Sequence, residues 1–163
     1  MTKKFVLREH CIPDGILHDQ DLYEIKLENN ELTLSFEVHY YPEDYTNTSF
    51  AEKYKDFTKC HIKCKLSDEK YCESEVELRT CINKKKQYIT QIVPIEEFVD
   101  LANKEILRRR KKDFYPGEYI GTGVGANFRM VHIELFFDFK YKRKEYGGCT
   151  LNLHTEEIEF IWE

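Results

Sequence analysis

No window of this sequence reaches 18 consecutive apolar residues, so no membrane-spanning helix is expected. No long apolar run follows the N-terminal lysines Lys3 and Lys4 either, so no secretory signal is visible and the cytoplasm is the expected location. A repeat of fixed period and an interior linker are both missing. The 163 residues therefore read as one domain, 1–163, long enough to bury a core. The paired C-x2-C spacing of common structural zinc sites is missing too. Six cysteines are present (Cys11, Cys60, Cys64, Cys72, Cys81, Cys149), and without an export signal they are expected as thiols rather than disulfides.

What is there argues for order: 41% of residues are apolar and 14% aromatic. The chain is organised around Gly15 to Tyr40, GILHDQDLYEIKLENNELTLSFEVHY. Tyr23, Ile25 and Leu27 alternate with polar residues, as do Leu32, Leu34, Phe36 and Val38, the period of half-buried strands. A two-residue Asn29-Asn30 turn sets Leu27 opposite Leu32, Ile25 opposite Leu34 and Tyr23 opposite Phe36. Asparagine tolerates the positive φ such a turn demands.

Phe5-Val6-Leu7 suits an edge strand, and Pro13-Asp14-Gly15 is turn chemistry. Residues 42–57 read as a loop with one helical turn at most. Thr58–Leu66 is a strand with Cys60, Ile62, Cys64 and Leu66 on one face, and Glu75–Ile82 another with Val76, Leu78 and Ile82 inward. Asn83–Lys86 then turns the chain into a strand over Gln87–Val93. One helix starts at Pro94, with Ile95, Phe98, Val99, Ala102 and Ile106 as its apolar stripe. Glu96 and Glu97 near its start and Arg108 to Lys112 near its end suit the helix dipole. Arg129–Tyr141 alternates again, placing Val131, Ile133, Leu135, Phe137, Phe139 and Tyr141 on one face until Tyr146-Gly147-Gly148 breaks the pattern. The ending, CTLNLHTEEIEFIWE, reads as a hairpin turning at Thr155-Glu156, with Leu153 opposite Ile158, Leu151 opposite Phe160 and Cys149 opposite Trp162. The expected class is α+β, mostly antiparallel β: about eight strands in hairpins, with one amphipathic helix on the sheet.

Candidate chemistry is thin. Cys60, Cys64, Cys72 and Cys81 have the spacing C-x3-C-x7-C-x8-C, and the first two lie on the apolar face of a strand, where cysteine behaves as a small hydrophobe. They read as core cysteines, and neither a metal nor a cofactor is expected. His18-Asp19 enters a strand without further ligands in reach, so it reads as turn-bonding at the hairpin mouth. Gly121, Gly123 and Gly125 imitate part of a dinucleotide fingerprint, but a strand follows instead of a helix, so a loop or strand-edge bulge is expected. The Cys11–His10 and Cys149–His154 pairs have the wrong strand parity for a nucleophile and its base. No catalytic residue is assigned.

Charge distribution says more. Between Asp14 and Asp44 nine acids face only Lys26, whereas bases gather in Lys84–Lys86, Arg108–Lys112 and Lys140–Lys144. Nucleic acid is not an expected partner for an acidic chain without a recognised binding motif. The acidic stretch with its tyrosines is the better candidate, because Tyr joins apolar area to a polar handle and acids steer a basic partner. The surface assigned to partner binding is Asp19, Asp21, Tyr40, Tyr41, Glu43, Asp44 and Tyr45.

The His-Asp at the mouth of the alternating hairpin GILHDQDLYEIKLENNELTLSFE, together with the ending LNLHTEEIEFIWE, resembles small bacterial immunity proteins of polymorphic toxin and contact-dependent inhibition systems. That resemblance implies a non-enzymatic cytoplasmic protein that binds and neutralises a cognate toxin, often a nuclease with a basic surface. The alternative is a small-ligand binder or enzyme with its site inside the sheet near the Gly-rich passage, which would show as a pocket with convergent polar groups.

Overall fold

Two asparagines with positive φ, Asn29 at 51° and Asn30 at 60°, close the first hairpin as expected for a two-residue turn. The computed structural model describes residues 2–6, 20–39, 55–69, 73–82, 87–110, 117–124 and 130–163. Their elements are β1 (Lys3–Val6), β2 (Asp21–Glu28), β3 (Glu31–Glu37), β4 (Lys59–Leu66), β5 (Glu75–Ile82), β6 (Gln87–Pro94), α1 (Ile95–Arg110), β7 (Gly117–Val124), β8 (Met130–Tyr141) and β9 (Lys144–Trp162). The fold is α+β: an antiparallel sheet of nine strands, curled, with one helix packed against it. Among the described residues, no helix is long and apolar enough to cross a membrane.

The pairing path runs β4-β3-β2-β7-β8-β9, and a further β4–β9 pairing closes it on itself. The interior is built in rungs. Leu27 lies beside Leu32, Cys64 and Ile158; Ile25 beside Leu34, Ile62 and Phe160; Leu22 beside Phe36, Cys60 and Trp162. A second set joins Val76, Leu151 and Ile133, and Leu78, Cys149 and Leu135. Apart from the half-buried Leu27, every one of these side chains is buried.

Three registers differ from the sequence expectation, each because a strand carries one extra residue. In β2 the partners step from Leu22–Phe36 to Glu24–Ser35, so Tyr23 is bulged and Leu22, not Tyr23, faces Phe36. In β8 the register slips between Leu135 and Asp138, so the face carrying Val131, Ile133 and Leu135 does not run unbroken to Tyr141; the side chains of Phe137 and Phe139 lie outside the description. That strand ends at Tyr141 as expected, at a Lys142-Arg143 turn with φ of 46° and 68°, whereas Tyr146-Gly147-Gly148, expected to break the pattern, lies within β9.

The third correction is the largest. The C-terminal segment is not a hairpin: β9 is one strand of 19 residues, and Thr155, expected in a turn, is buried within it. Its first part pairs with β8 and β5, and its second part with β4 and β1. Partners of β4 step from Lys65–Glu157 to Leu66–Thr155, leaving Glu156 as the extra residue. Cys149, Leu151, Leu153 and Thr155 point inward before it, and Ile158, Phe160 and Trp162 after it.

The helix stripe is as expected: Ile95, Phe98, Val99, Ala102 and Ile106 are all buried. α1 lies chiefly against β2. β2 pairs with β7 only at Asp21–Glu118, so most of that strand edge lacks a sheet neighbour among the described residues. Asn103 of the helix fills the gap. Its Oδ1 accepts the Ile25 N–H at 3.3 Å, and its Nδ2 donates to the Ile25 carbonyl at 2.6 Å. A side-chain amide thus supplies the donor and acceptor that a neighbouring strand would have provided.

Candidate functional site: an aromatic hairpin mouth and an acidic crevice

The β2–β3 hairpin has two ends, roughly 25 Å apart at about 3.3 Å per residue, and each carries a candidate surface. At the mouth, Asp21 opens β2 and faces Glu37. His39 Nε2 lies 3.7 Å from Asp21 Oδ2, and the His39 N–H donates to the buried Gln20 Oε1 at 2.5 Å. Burial holds the Asp21 carboxyl above the usual range, with His39 opposing and Glu37 reinforcing the rise. Asp21 is the one member of the sequence-assigned surface that can be placed; Asp19, Tyr40, Tyr41, Glu43, Asp44 and Tyr45 lie outside the described residues.

The bulge at Tyr23 puts a partly exposed aromatic ring beside this mouth. His61 meets the ring edge-on at 6.4 Å between centroids, and Lys59 Nζ lies 5.7 Å from its centre. Burial raises the Tyr23 phenol, a hydrogen bond with Ser35 opposes this, and the carboxylates of Glu24, Glu163 and Glu37 add to the rise. Ser35 Oγ sits 2.8 Å from His61 Nδ1, and His61 Nε2 sits 3.6 Å from Glu163 Oε2. This succession of serine, histidine and carboxylate imitates a catalytic triad. Ser35 is 1% exposed, however, so a reacting carbonyl has no route to its hydroxyl. The network fixes the orientation of Tyr23 and His61. Sequence reasoning missed it because the bulge that brings Tyr23 to the surface is a property of the pairing.

At the turn end, β4 and β5 part from β9 around His154. The Ser67 N–H donates to the His154 carbonyl at 2.9 Å, while the His154 N–H donates to Ser74 Oγ at 3.1 Å. Between them lies a crevice of about 500 Å³, extending to the start of α1. Asp68, Glu69, Glu73, Glu75 and Glu96 line it, and among the described residues no lysine or arginine does. Asn30 holds one wall: its carbonyl accepts the Leu66 N–H at 2.8 Å and its side-chain amide bonds Asp68. Among the described residues no group of His, Cys, Asp and Glu converges to hold a metal ion, so these carboxylates form a broad acidic lining rather than a cage. Four of them fall within the eight residues from Asp68 to Glu75, and the fold adds Glu96 from the start of α1.

The acidic stretch picked out in the sequence is partly neutralised by the strand it pairs with. Lys63 on β4 bonds Glu31 at 2.8 Å, a contact that raises the lysine's pKa, whereas Lys65 bonds Glu156 of β9, outside that stretch, at 2.5 Å. Lys4 of β1 pairs with Glu159. Parts of two basic runs are similarly engaged. Glu105 accepts from Arg108 and Arg109, and Lys140 lies 3.0 Å from Glu145.

The cysteines that can be placed are core residues. Cys60, Cys64 and Cys149 are buried free thiols; burial pushes Cys64 up to about 12 and raises Cys60 and Cys149 strongly as well. Of the loop or strand-edge bulge expected for the Gly-rich passage, the part described runs through β7 as strand with a register slip between Tyr119 and Gly121; Gly125 lies outside the described residues. A scan of family models finds no match to this chain, and searches of curated proteins and of solved structures find none either.

Proposed function

We propose that this chain is a non-enzymatic binding protein that captures a basic protein partner, as an immunity protein captures its toxin. The observation that carries the reading is the acidic crevice: five carboxylates around about 500 Å³ and, among the described residues, no cationic side chain in the lining. Such a recess suits inserted lysine or arginine side chains, because partner charge replaces the repulsion among the acids and steers encounter. The resemblance to immunity proteins supplies the class of partner, a cognate toxin with a basic surface. The hairpin mouth around Asp21 and Tyr23 is the second contact surface.

The test is a pull-down from the native host at low salt, with mass spectrometry of whatever elutes stoichiometrically. Binding of that partner is then measured against salt for the wild type, for Glu73→Lys with Glu75→Lys and Glu96→Lys, and for Asp21→Lys. The crevice variant is expected to weaken binding by about tenfold or more and to flatten its salt dependence. An unchanged affinity at low salt sinks the crevice as the acceptor, and loss with Asp21→Lys alone moves the interface to the mouth. An acidic partner, or none while the toxin gene is expressed, overturns the reading.

A further inference from the structure

β9 lies between β5 and β8, so Glu77, Thr150 and Glu134 form one cross-strand row, and Glu75, Asn152 and His132 the next. All six point away from the core face that carries Val76, Leu151 and Ile133. In the second row Asn152 and His132 bond each other at 2.7 Å. In the first, Thr150 is only 4% exposed, yet its Oγ1 has no hydrogen-bond partner among the described residues. A buried hydroxyl without a partner is costly, so it marks a place where another polar group belongs. Arg79 spans this row: its Nε lies 3.3 Å from Glu77 Oε1 and its Nη1 lies 3.9 Å from Glu134 Oε1. Both contacts are long for charged pairs, and the arginine side chain is 45% exposed. Across the ladder from Arg79 stands Gly148, which has no side chain to hold the arginine in place.

We infer that this row is an arginine-binding extension of the acidic crevice: a guanidinium of the basic partner displaces Arg79 from Glu77 and Glu134 and donates to Thr150 Oγ1. The inference rests on the reading of the chain as a binder of a basic protein, and it names the side chain that the partner inserts. Glu75 connects the two surfaces, since it lines the crevice and precedes Glu77 by two residues on the same strand face. Arginine fits the row better than lysine. The strands of Glu77 and Glu134 lie two spacings apart, about 10 Å. A planar guanidinium carries donors on several sides and meets both carboxylates and the hydroxyl together, whereas an ammonium is a point charge. Arg79 already shows that one guanidinium reaches both acids, but it leaves Thr150 without a donor. Once displaced, Arg79 returns to water, where an exposed pair of this kind loses little.

Titration of the whole chain at low salt with an acetylated tetra-arginine peptide, and separately with tetra-lysine, tests it by amide chemical shifts and calorimetry. The wild type is expected to bind the arginine peptide about threefold or more tighter than the lysine peptide, with shifts at Glu77, Thr150 and Glu134. Arg79→Ala is expected to strengthen arginine binding about fivefold by removing the internal competitor, and lysine binding by less. Thr150→Val keeps the shape and removes the hydroxyl, so it is expected to erase the preference for arginine, and Thr150→Ser to restore it. Shifts confined to the crevice residues Asp68, Glu73 and Glu96 leave the basic-partner reading standing and overturn this inference. Shifts at Thr150 and Glu134 beside a silent crevice uphold it and move the partner's docking place to the outer face. Failure of both peptides to bind overturns it. So does an Arg79→Ala chain that binds the arginine peptide no more tightly, or a preference for arginine that survives Thr150→Val.

Discussion

Replacing Asn103 with alanine isolates the device that closes the sheet against the helix. The substitution removes both partners of the Ile25 backbone, an acceptor at 3.3 Å and a donor at 2.6 Å. An unsatisfied buried backbone group costs about 1–3 kcal/mol, and the longer of the two bonds belongs at the low end of that range. Both groups are only part-buried, so water recovers some of the loss, and alanine returns about 0.5 kcal/mol of helix propensity. The net expectation is a loss of about 2 kcal/mol, or a fall in Tm of roughly 4–8 °C for a chain of this size. Urea unfolding measures the first and calorimetry the second, with Lys104→Ala on the exposed helix face as control. Asn103→Asp discriminates further: it keeps an acceptor for the Ile25 N–H but sets a carboxylate against the Ile25 carbonyl, so it should be no better than alanine. Hydrogen exchange at the Ile25 amide should accelerate in both variants. If Asn103→Ala matches the control in stability and Ile25 exchange is unchanged, the amide is not replacing a strand and the reasoning is wrong.

Deleting Glu156 removes the β9 bulge and turns Ile158, Phe160 and Trp162 outward; at about 2 kcal/mol each this approaches the whole stability of a domain, so circular dichroism should show an unfolded chain. The raised thiols of Cys60, Cys64 and Cys149 keep their protons in the folded state while unfolded thiols ionise. Stability is therefore complete below about pH 8.5 and falls above it, by up to about 1.4 kcal/mol per pH unit per thiol; a flat profile to pH 10.5 in urea titrations would refute the burial argument. Glu105 has the opposite sign. Hydrogen bonds from Arg108, then Arg109, hold its carboxyl below the usual range, so its contribution is present above about pH 4.5 and disappears as pH falls through the lowered value. Glu105→Gln should flatten the acid limb of the stability curve and leave the alkaline limb unchanged. Asp21→Asn should stabilise the fold slightly at pH 7, because burial raises this carboxyl and ionising it opposes folding; a loss of stability there would mean that His39 outweighs the desolvation.

The sequence alone determined the local elements. Asn29-Asn30 can adopt positive φ, so it placed the first turn and, with it, the Leu27–Leu32 and Ile25–Leu34 pairs. The stripe from Ile95 to Ile106 announced a helix whose apolar face is buried as read. These are short-range properties, set by backbone sterics and by the period of hydrophobic residues. The C-terminal segment shows where that information stops. A two-residue turn and a one-residue bulge both reverse which residues point inward, so Leu153 and Ile158 fit a hairpin and a bulged strand equally well. Only neighbours at both ends of β9 choose between them: β8 and β5 take the first part, β4 and β1 the second, and folding the segment on itself would cost these strands ladder partners that the single long strand supplies. Charge behaves the same way. The acids of β3 stood out along the chain, yet Lys63 lies across the sheet from Glu31, whereas the crevice brings Glu96 beside four acids more than twenty residues earlier, Asp68 to Glu75. Coulomb interactions depend on distance in space, and the sequence supplies only distance along the chain.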